Sequence, residues 1–341
     1  MSEVHIGGSY TSALTHLAGL GVAAILEESG HRGVRIRWTQ TANPKMLVSG
    51  PGVEETTLAQ LVVDHAERHS RESSWVQTLT KIRKGGKEAE VGLFSPRIAA
   101  PEDSDSWGSL YEQRRAVIDA DPDVTWLDGL FLQALGEPAY WQADLKDAMP
   151  DEGASRWEMK TRNRGEDFVR NRLAPLAREV SGRSADAVTK ALLGKTIHDS
   201  AGKEDSRTGS GFTTPQPVDD AVAWCSLWGI SAFRLFPAIS GVAVTPGAWP
   251  AAVTHPSMMS LPLSTSPLSL AKIRRIMRSK AFSDASFGSE SSNSGSRIQA
   301  SAARVSLKRT GIDGIVRFPI RKGGSSSAPE RQILAGMFEP F

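Results

Sequence analysis

From Ala13 to Leu26 the chain runs for fourteen residues without an acid, a lysine or an arginine. Within that run Leu14, Leu17, Ala18, Gly21, Val22, Ile25 and Leu26 recur at three- and four-residue spacing. This is the period of one helix face and predicts a helix over Tyr10 to Glu28, with Ser9 or Thr11 as its cap and Gly30 as its stop. Thr15, His16 and two glycines interrupt the run, which falls short of the ~18 apolar residues needed to cross a bilayer. The opening Met-Ser-Glu-Val-His has no positive n-region and does not read as a signal peptide. A single cysteine, Cys225, excludes an internal disulfide and a multi-cysteine zinc site. A folded, cytoplasmic protein is expected.

The rest of the chain predicts an α/β (α+β) fold, mainly helical with short antiparallel strands. Val34 to Trp38 alternates apolar and cationic residues like a half-buried strand, with Lys45 to Ser49 as its partner. Helices are expected over Thr56 to Arg71, Trp107 to Ala120, Trp126 to Leu135, Asp167 to Val180 and Ala185 to Leu193, with Pro175 kinking or ending the fourth. Arg83 to Lys87 reads as an exposed turn and Gly136-Glu137-Pro138 as a breaker. Val222 to Phe236 is an apolar run suited to a buried core element. Pro267 to Phe282 reads as a basic amphipathic helix, Arg304 to Leu307 and Gly314 to Ile320 as strands, and the chain near Pro329 as the start of a terminal helix. At 341 residues two lobes are expected: an α/β lobe at 1–197, a linker at 198–218 and a second lobe at 219–341 carrying a mobile serine-rich loop at 283–296.

Charge is divided along the chain. Residues 101–152 hold 13 acids against 3 Lys or Arg, and residues 271–322 hold 12 Lys or Arg against 3 acids. Such asymmetry points to a polyanion-binding surface paired with an acidic surface that faces a protein partner or the basic lobe itself. Two basic elements stand out. Arg156, Lys160, Arg162, Arg164, Arg170 and Arg172 are interleaved with Trp157, Glu158 and Asn163. Lys272, Arg274, Arg275, Arg278 and Lys280 surround the apolar stripe of the later helix. Guanidinium forks suit phosphates and stack on bases, so these residues are the candidate nucleic-acid contacts. The competing explanation for the first element is an internal salt-bridge lattice.

No motif specifies a catalytic, metal or cofactor site. Gly194-Lys195-Thr196 lacks the glycine that a phosphate-binding loop needs five residues earlier and reads as a helix stop. His65 and His69 share a helix face, but Ala66 stands where a zinc protease places its acid, so a half-exposed polar face is expected. Cys225, between Trp224 and Trp228, reads as a core residue. Asp119, Asp121, Asp123 and Asp128 offer the material for a metal-dependent nuclease or other enzyme, the rival to a non-catalytic nucleic-acid role, and a protein-only scaffold is the third reading.

Ala13-Leu14-Thr15-His16-Leu17-Ala18-Gly19-Leu20-Gly21, followed by the strand that ends at Trp38, resembles the start of CRISPR-associated type I proteins, including large-subunit and accessory proteins of the type I-G (formerly I-U) systems. The resemblance covers about forty residues. It implies a place in or beside a crRNA-guided effector complex, with crRNA or target DNA and other subunits as partners, and carries over no catalytic residue.

Overall fold

The structure is a computed structural model that describes residues 2–84, 87–97, 104–136, 153–158, 168–200, 211–236, 241–288, 294–324 and 329–341. The uncharged run forms helix α1 (Ala13–Glu28), in which every residue from Thr15 to Leu26 is buried. A helix apolar on all sides must be covered on all sides. One cover is a three-stranded antiparallel sheet of β1 (Ser2–Ile6), β2 (Arg35–Trp38) and β3 (Met46–Gly50), in the order β1-β3-β2. Others are helix α2 (Glu55–Ser70) and helix α7 (Asp220–Trp228), which continues into a 3-10 turn, Gly229–Ala232.

The crossing of α1 and α7 explains the glycines inside the apolar run. A Cβ on Gly21 would stand 1.8 Å from the Cys225 carbonyl oxygen, and one on Gly229 would stand 2.2 Å from that of Leu17. Each backbone fills the space where the other's side chain would be, which only glycine permits. Cys225 lies in this crossing, fully buried, and burial pushes its thiol far up.

The hairpin β4 (Leu79–Lys84) and β5 (Lys87–Gly92) follows α2, its tip at 85–86 lying outside the described residues. Helices α3 (Ser104–Ala120) and α4 (Trp126–Leu135) come next, α4 opened by a capping box between Thr125 and Asp128. A π-helical turn, Val169–Leu173, leads without a break into α5 (Ala174–Ser181), with Pro175 just after the π turn. Helix α6 (Ala185–Leu192) closes at Gly194, whose φ of 72° is the left-handed stop expected from the sequence.

The second half of the chain forms a sheet in the order β10-β8-β7-β6, with β9 paired to the far end of β8. Its strands are β6 (Ala248–Trp249), β7 (Met258–Leu263), β8 (Gly314–Gly324), β9 (Pro329–Ile333) and β10 (Met337–Pro340). Helices α8 (Leu270–Met277), α9 (Lys280–Phe287) and α10 (Ser294–Arg309) lie between β7 and β8. Ile36 of β2 exchanges backbone hydrogen bonds with Leu268, just before α8. A single hydrophobic cluster runs from Val4 to Ile333. Of the stretch expected as a linker at 198–218, residues 201–210 lie outside the described residues.

Several local expectations are corrected. Strand β1 was not anticipated, although Val4 and Ile6 alternate into the core. Of the serine-rich stretch expected to be mobile, Ser283 to Phe287 belongs to α9 and Ser294 to Ser296 opens α10, while 289–293 lie outside the described residues. Small side chains let these helices pack closely, with Gly288 set against Ala300 and the Ser260 hydroxyl donating to that of Ser286. Arg304 to Leu307 is helical, because Ala300, Ala303 and Leu307 bury a helix face that a four-residue alternation concealed. The chain after Pro329 is a strand, since β8 offers it an open edge. No helix among the described residues is long and apolar enough to cross a membrane.

Candidate nucleic-acid interface

Helix α8 is capped by Ser269, whose hydroxyl accepts from the Lys272 N–H, and buries Leu270, Ile273, Ile276 and Met277. Helix geometry then turns Lys272, Arg274, Arg275 and Arg278 toward the other side. There a groove of roughly 590 Å³ opens between α8, Leu130 of α4 and the segment after the 3-10 turn, lined by Arg234, Arg274, Arg275 and Arg278 together with Phe236. Among the described residues no carboxylate lines it.

Two aromatic rings belong to this surface, Trp126 at 47% exposure and Phe236 at 37%. The Arg274 guanidinium lies 5.6 Å from the centre of the Trp126 ring, and that of Arg278 lies 4.9 Å above Phe236. Arg274 Nε and Nη2 are buried and have no hydrogen-bond partner among the described residues. Burial lowers the pKa of Arg274, and the nearby Glu27 carboxylate offsets this in part. Buried guanidinium donors left unsatisfied are a standing demand for an acceptor, and an anionic oxygen meets it best.

The cations expected from the sequence meet different fates. Arg274, Arg275 and Arg278 line the groove, and Lys272 is exposed beside them. Lys280 does not continue the same helix. Ser279 caps a new one, in which Lys280 pairs with Asp284 at 2.7 Å. Arg156 is fully buried, with its guanidinium donating to the carbonyls of Thr254 and Ala154, and so cannot meet a phosphate at the surface. It is turned inward onto backbone carbonyls. Arg331 donates to the carbonyls of Arg156 and Glu158, and Arg97 pairs with the Glu158 carboxylate at 2.8 Å. Arg170 pairs with Glu90 of β5, and Arg172 is half-buried. Lys160, Arg162 and Arg164 lie outside the described residues, as does the acidic stretch 137–152. The groove thus draws on one of the two basic elements and recruits Arg234 and Trp126, which the sequence did not single out. Their only signal was position: a cation at the end of an apolar run and a tryptophan as the first residue of a capped helix.

His65 and His69 do not form a half-exposed face. They are buried among Trp75, Trp224 and Trp228, where the Trp224 indole N–H donates to His65 Nδ1 at 3.1 Å. This bond places the His65 proton on Nε2, which faces the Glu28 carboxylate at 3.5 Å. Arg68 reaches Glu28 at 2.6 Å, and the buried Asp128 accepts from the Trp75 indole at 2.9 Å. Burial, reinforced by Arg68, pulls both imidazoles well below their usual range, and burial raises the carboxyls of Glu28 and Asp128 against the pull of Arg68. With Asp128 fully buried and Glu28 and both histidines almost so, the cluster ties α1, α2, α4 and α7 together and admits no substrate.

The burial of Asp128 also dissolves the nuclease constellation. Asp119 pairs with Arg115 and Asp123 with Arg71 at the exposed surface, and Asp121 caps the Asp123 N–H. The four carboxylates do not face one another. No family model matches the chain, and no curated protein is significantly similar to it.

Proposed function

We propose that this chain is a non-catalytic nucleic-acid-binding protein that holds an RNA or DNA strand along the arginine groove of α8. The observation that carries the reading is the groove itself: four arginines with no lining carboxylate among the described residues, two of them resting on exposed aromatic rings. Guanidinium forks take phosphate oxygens, and an exposed ring beside them gives a base a face on which to stack. Contacts of this kind favour a single strand over a duplex and carry little sequence preference. A cytoplasmic role as a subunit of a crRNA-guided complex is the setting that the resemblance of the opening residues suggests. Those residues are core residues of α1 and β2, so the proposal rests on the groove.

The test is a salt titration of binding to labelled single-stranded and double-stranded RNA and DNA. If Lys272, Arg234, Arg275 and Arg278 each meet one phosphate, log K falls against log salt with a slope of about −3 on a single strand. The double variant Arg275→Ala, Arg278→Ala flattens that slope while the melting temperature stays put. Undetectable binding at low salt, or a slope unchanged in the double variant, overturns the proposal.

A further inference from the structure

A second cluster of side chains lies away from the groove, where the end of α5, the segment 195–200 and the start of α7 meet. Glu179, His198 and Asp220 each offer one ligand atom here, and these atoms all lie within 4.8 Å of one another. Three points so spaced share a centre no more than about 2.8 Å from each, close to the 2.0–2.2 Å of zinc–nitrogen and zinc–oxygen bonds. Small side-chain adjustments close the difference.

The frame that holds them is built from both strands of chain. The Asp220 N–H donates to the His198 carbonyl at 2.9 Å and the His198 N–H to Asp219 Oδ2 at 2.8 Å. The Ser200 N–H and hydroxyl both donate to the Asp220 carboxylate, at 3.0 and 3.2 Å. Asp220 is buried, yet its hydrogen bonds come from these neutral donors. The nearby guanidinium, Arg183, is committed to Asp219 through two bonds of 2.7 and 3.2 Å. His198 Nε2 sits 2.9 Å from Glu179 Oε1, and its ring is exposed on the other side. One imidazole thus faces two carboxylates, one of them buried without a cation of its own among the described residues.

We propose that Glu179, His198 and Asp220 form a binding site for a divalent transition cation, with Zn²⁺ the preferred ion and one position left open to water. One nitrogen and two carboxylate oxygens with an open fourth position fit tetrahedral zinc. Calcium and magnesium bind more weakly here, because they demand six or more oxygen ligands.

The test is calorimetric titration of chelator-treated full-length protein with Zn²⁺, Mn²⁺, Co²⁺ and Ca²⁺, each alone, with the visible spectrum of the cobalt form as a second readout. One equivalent of Zn²⁺ binds, Co²⁺ gives absorption bands of low-coordinate geometry, and Ca²⁺ binds at least tenfold more weakly. His198→Ala and Glu179→Gln alter partly exposed side chains and preserve the fold, as melting temperature checks. Each lowers zinc affinity tenfold or more, whereas His31→Ala leaves it unchanged. The proposal is overturned if Zn²⁺ fails to bind at millimolar concentration, or if it binds with the same affinity in the His198 and Glu179 variants.

Discussion

The arginines around residue 156 and those of α8 have the same chemistry and opposite surroundings. Arg156 is turned inward onto the carbonyls of Thr254 and Ala154, and Arg331 closes over the same turn from a strand 175 residues away. Arg275 and Arg278 stand on the outer face of a short amphipathic helix whose other face is held by Ile273, Ile276 and Met277. The first set donates to backbone carbonyls; the second has no hydrogen-bond acceptor among the described residues and is left for an external one. A count of cations along the chain does not separate the two, because what matters is how many unsatisfied carbonyls the fold brings within reach.

The strongest way to break this comparison is to remove one arginine from each side. Arg156→Ala leaves buried carbonyls unsatisfied and opens a cavity, and destabilises by about 3 kcal/mol. Urea denaturation should show this directly, with Arg275→Ala staying within about 0.5 kcal/mol of the parent. An Arg156 variant of normal stability that loses nucleic acid would invert the assignment.

Acid should separate the buried polar cluster from the groove. Burial pulls His16 down to about 4 and takes His65 and His69 well below their usual range. As pH falls below about 6.5 the unfolded chain binds protons that these native imidazoles refuse, so stability is fully present above that pH and is lost on the way to 4. His16 alone accounts for about 3 kcal/mol of that loss. Glu28 and Asp128, with raised pKa values, bind protons more readily when folded and work in the opposite direction. Denaturation curves at pH 7 and pH 5 measure the net fall. Oligonucleotide affinity of the folded fraction should not follow it, since guanidiniums keep their charge throughout.

Smaller effects sharpen the picture of the groove. Trp126→Ala should weaken single-strand binding by about 1–3 kcal/mol and duplex binding far less, as a fluorescence titration of both would reveal. An equal loss on both would make the ring a support for Arg274 and not a stacking platform. Lys280→Ala should change affinity less than twofold, because Lys280 is already paired with Asp284 on a separate helix.

Much of the fold was legible because the helix period of apolar residues is local. It placed α1, α2, α4 and α6 to within a few residues, and the alternation of Val34 to Trp38 gave β2 and its pairing with β3. Legibility failed where small residues replaced large ones, as in α9 and α10, whose serines and alanines look like a flexible linker until Gly288 is seen against Ala300. Of the candidate site, the α8 arginines were legible. Arg234 and Trp126 were not, since they reach the groove from segments about 40 and 150 residues away.

By itself the sequence determined which stretches would be helical and which face of α8 would be buried, since both follow from neighbours three and four residues apart. Only the tertiary structure decided which arginines see solvent, that His65, His69 and Asp128 lie in the interior, and that Gly21 must be glycine. Each of those outcomes depends on an acceptor, a ring or a backbone carbonyl contributed by a distant part of the chain, and proximity of that kind leaves no periodic trace in the order of residues.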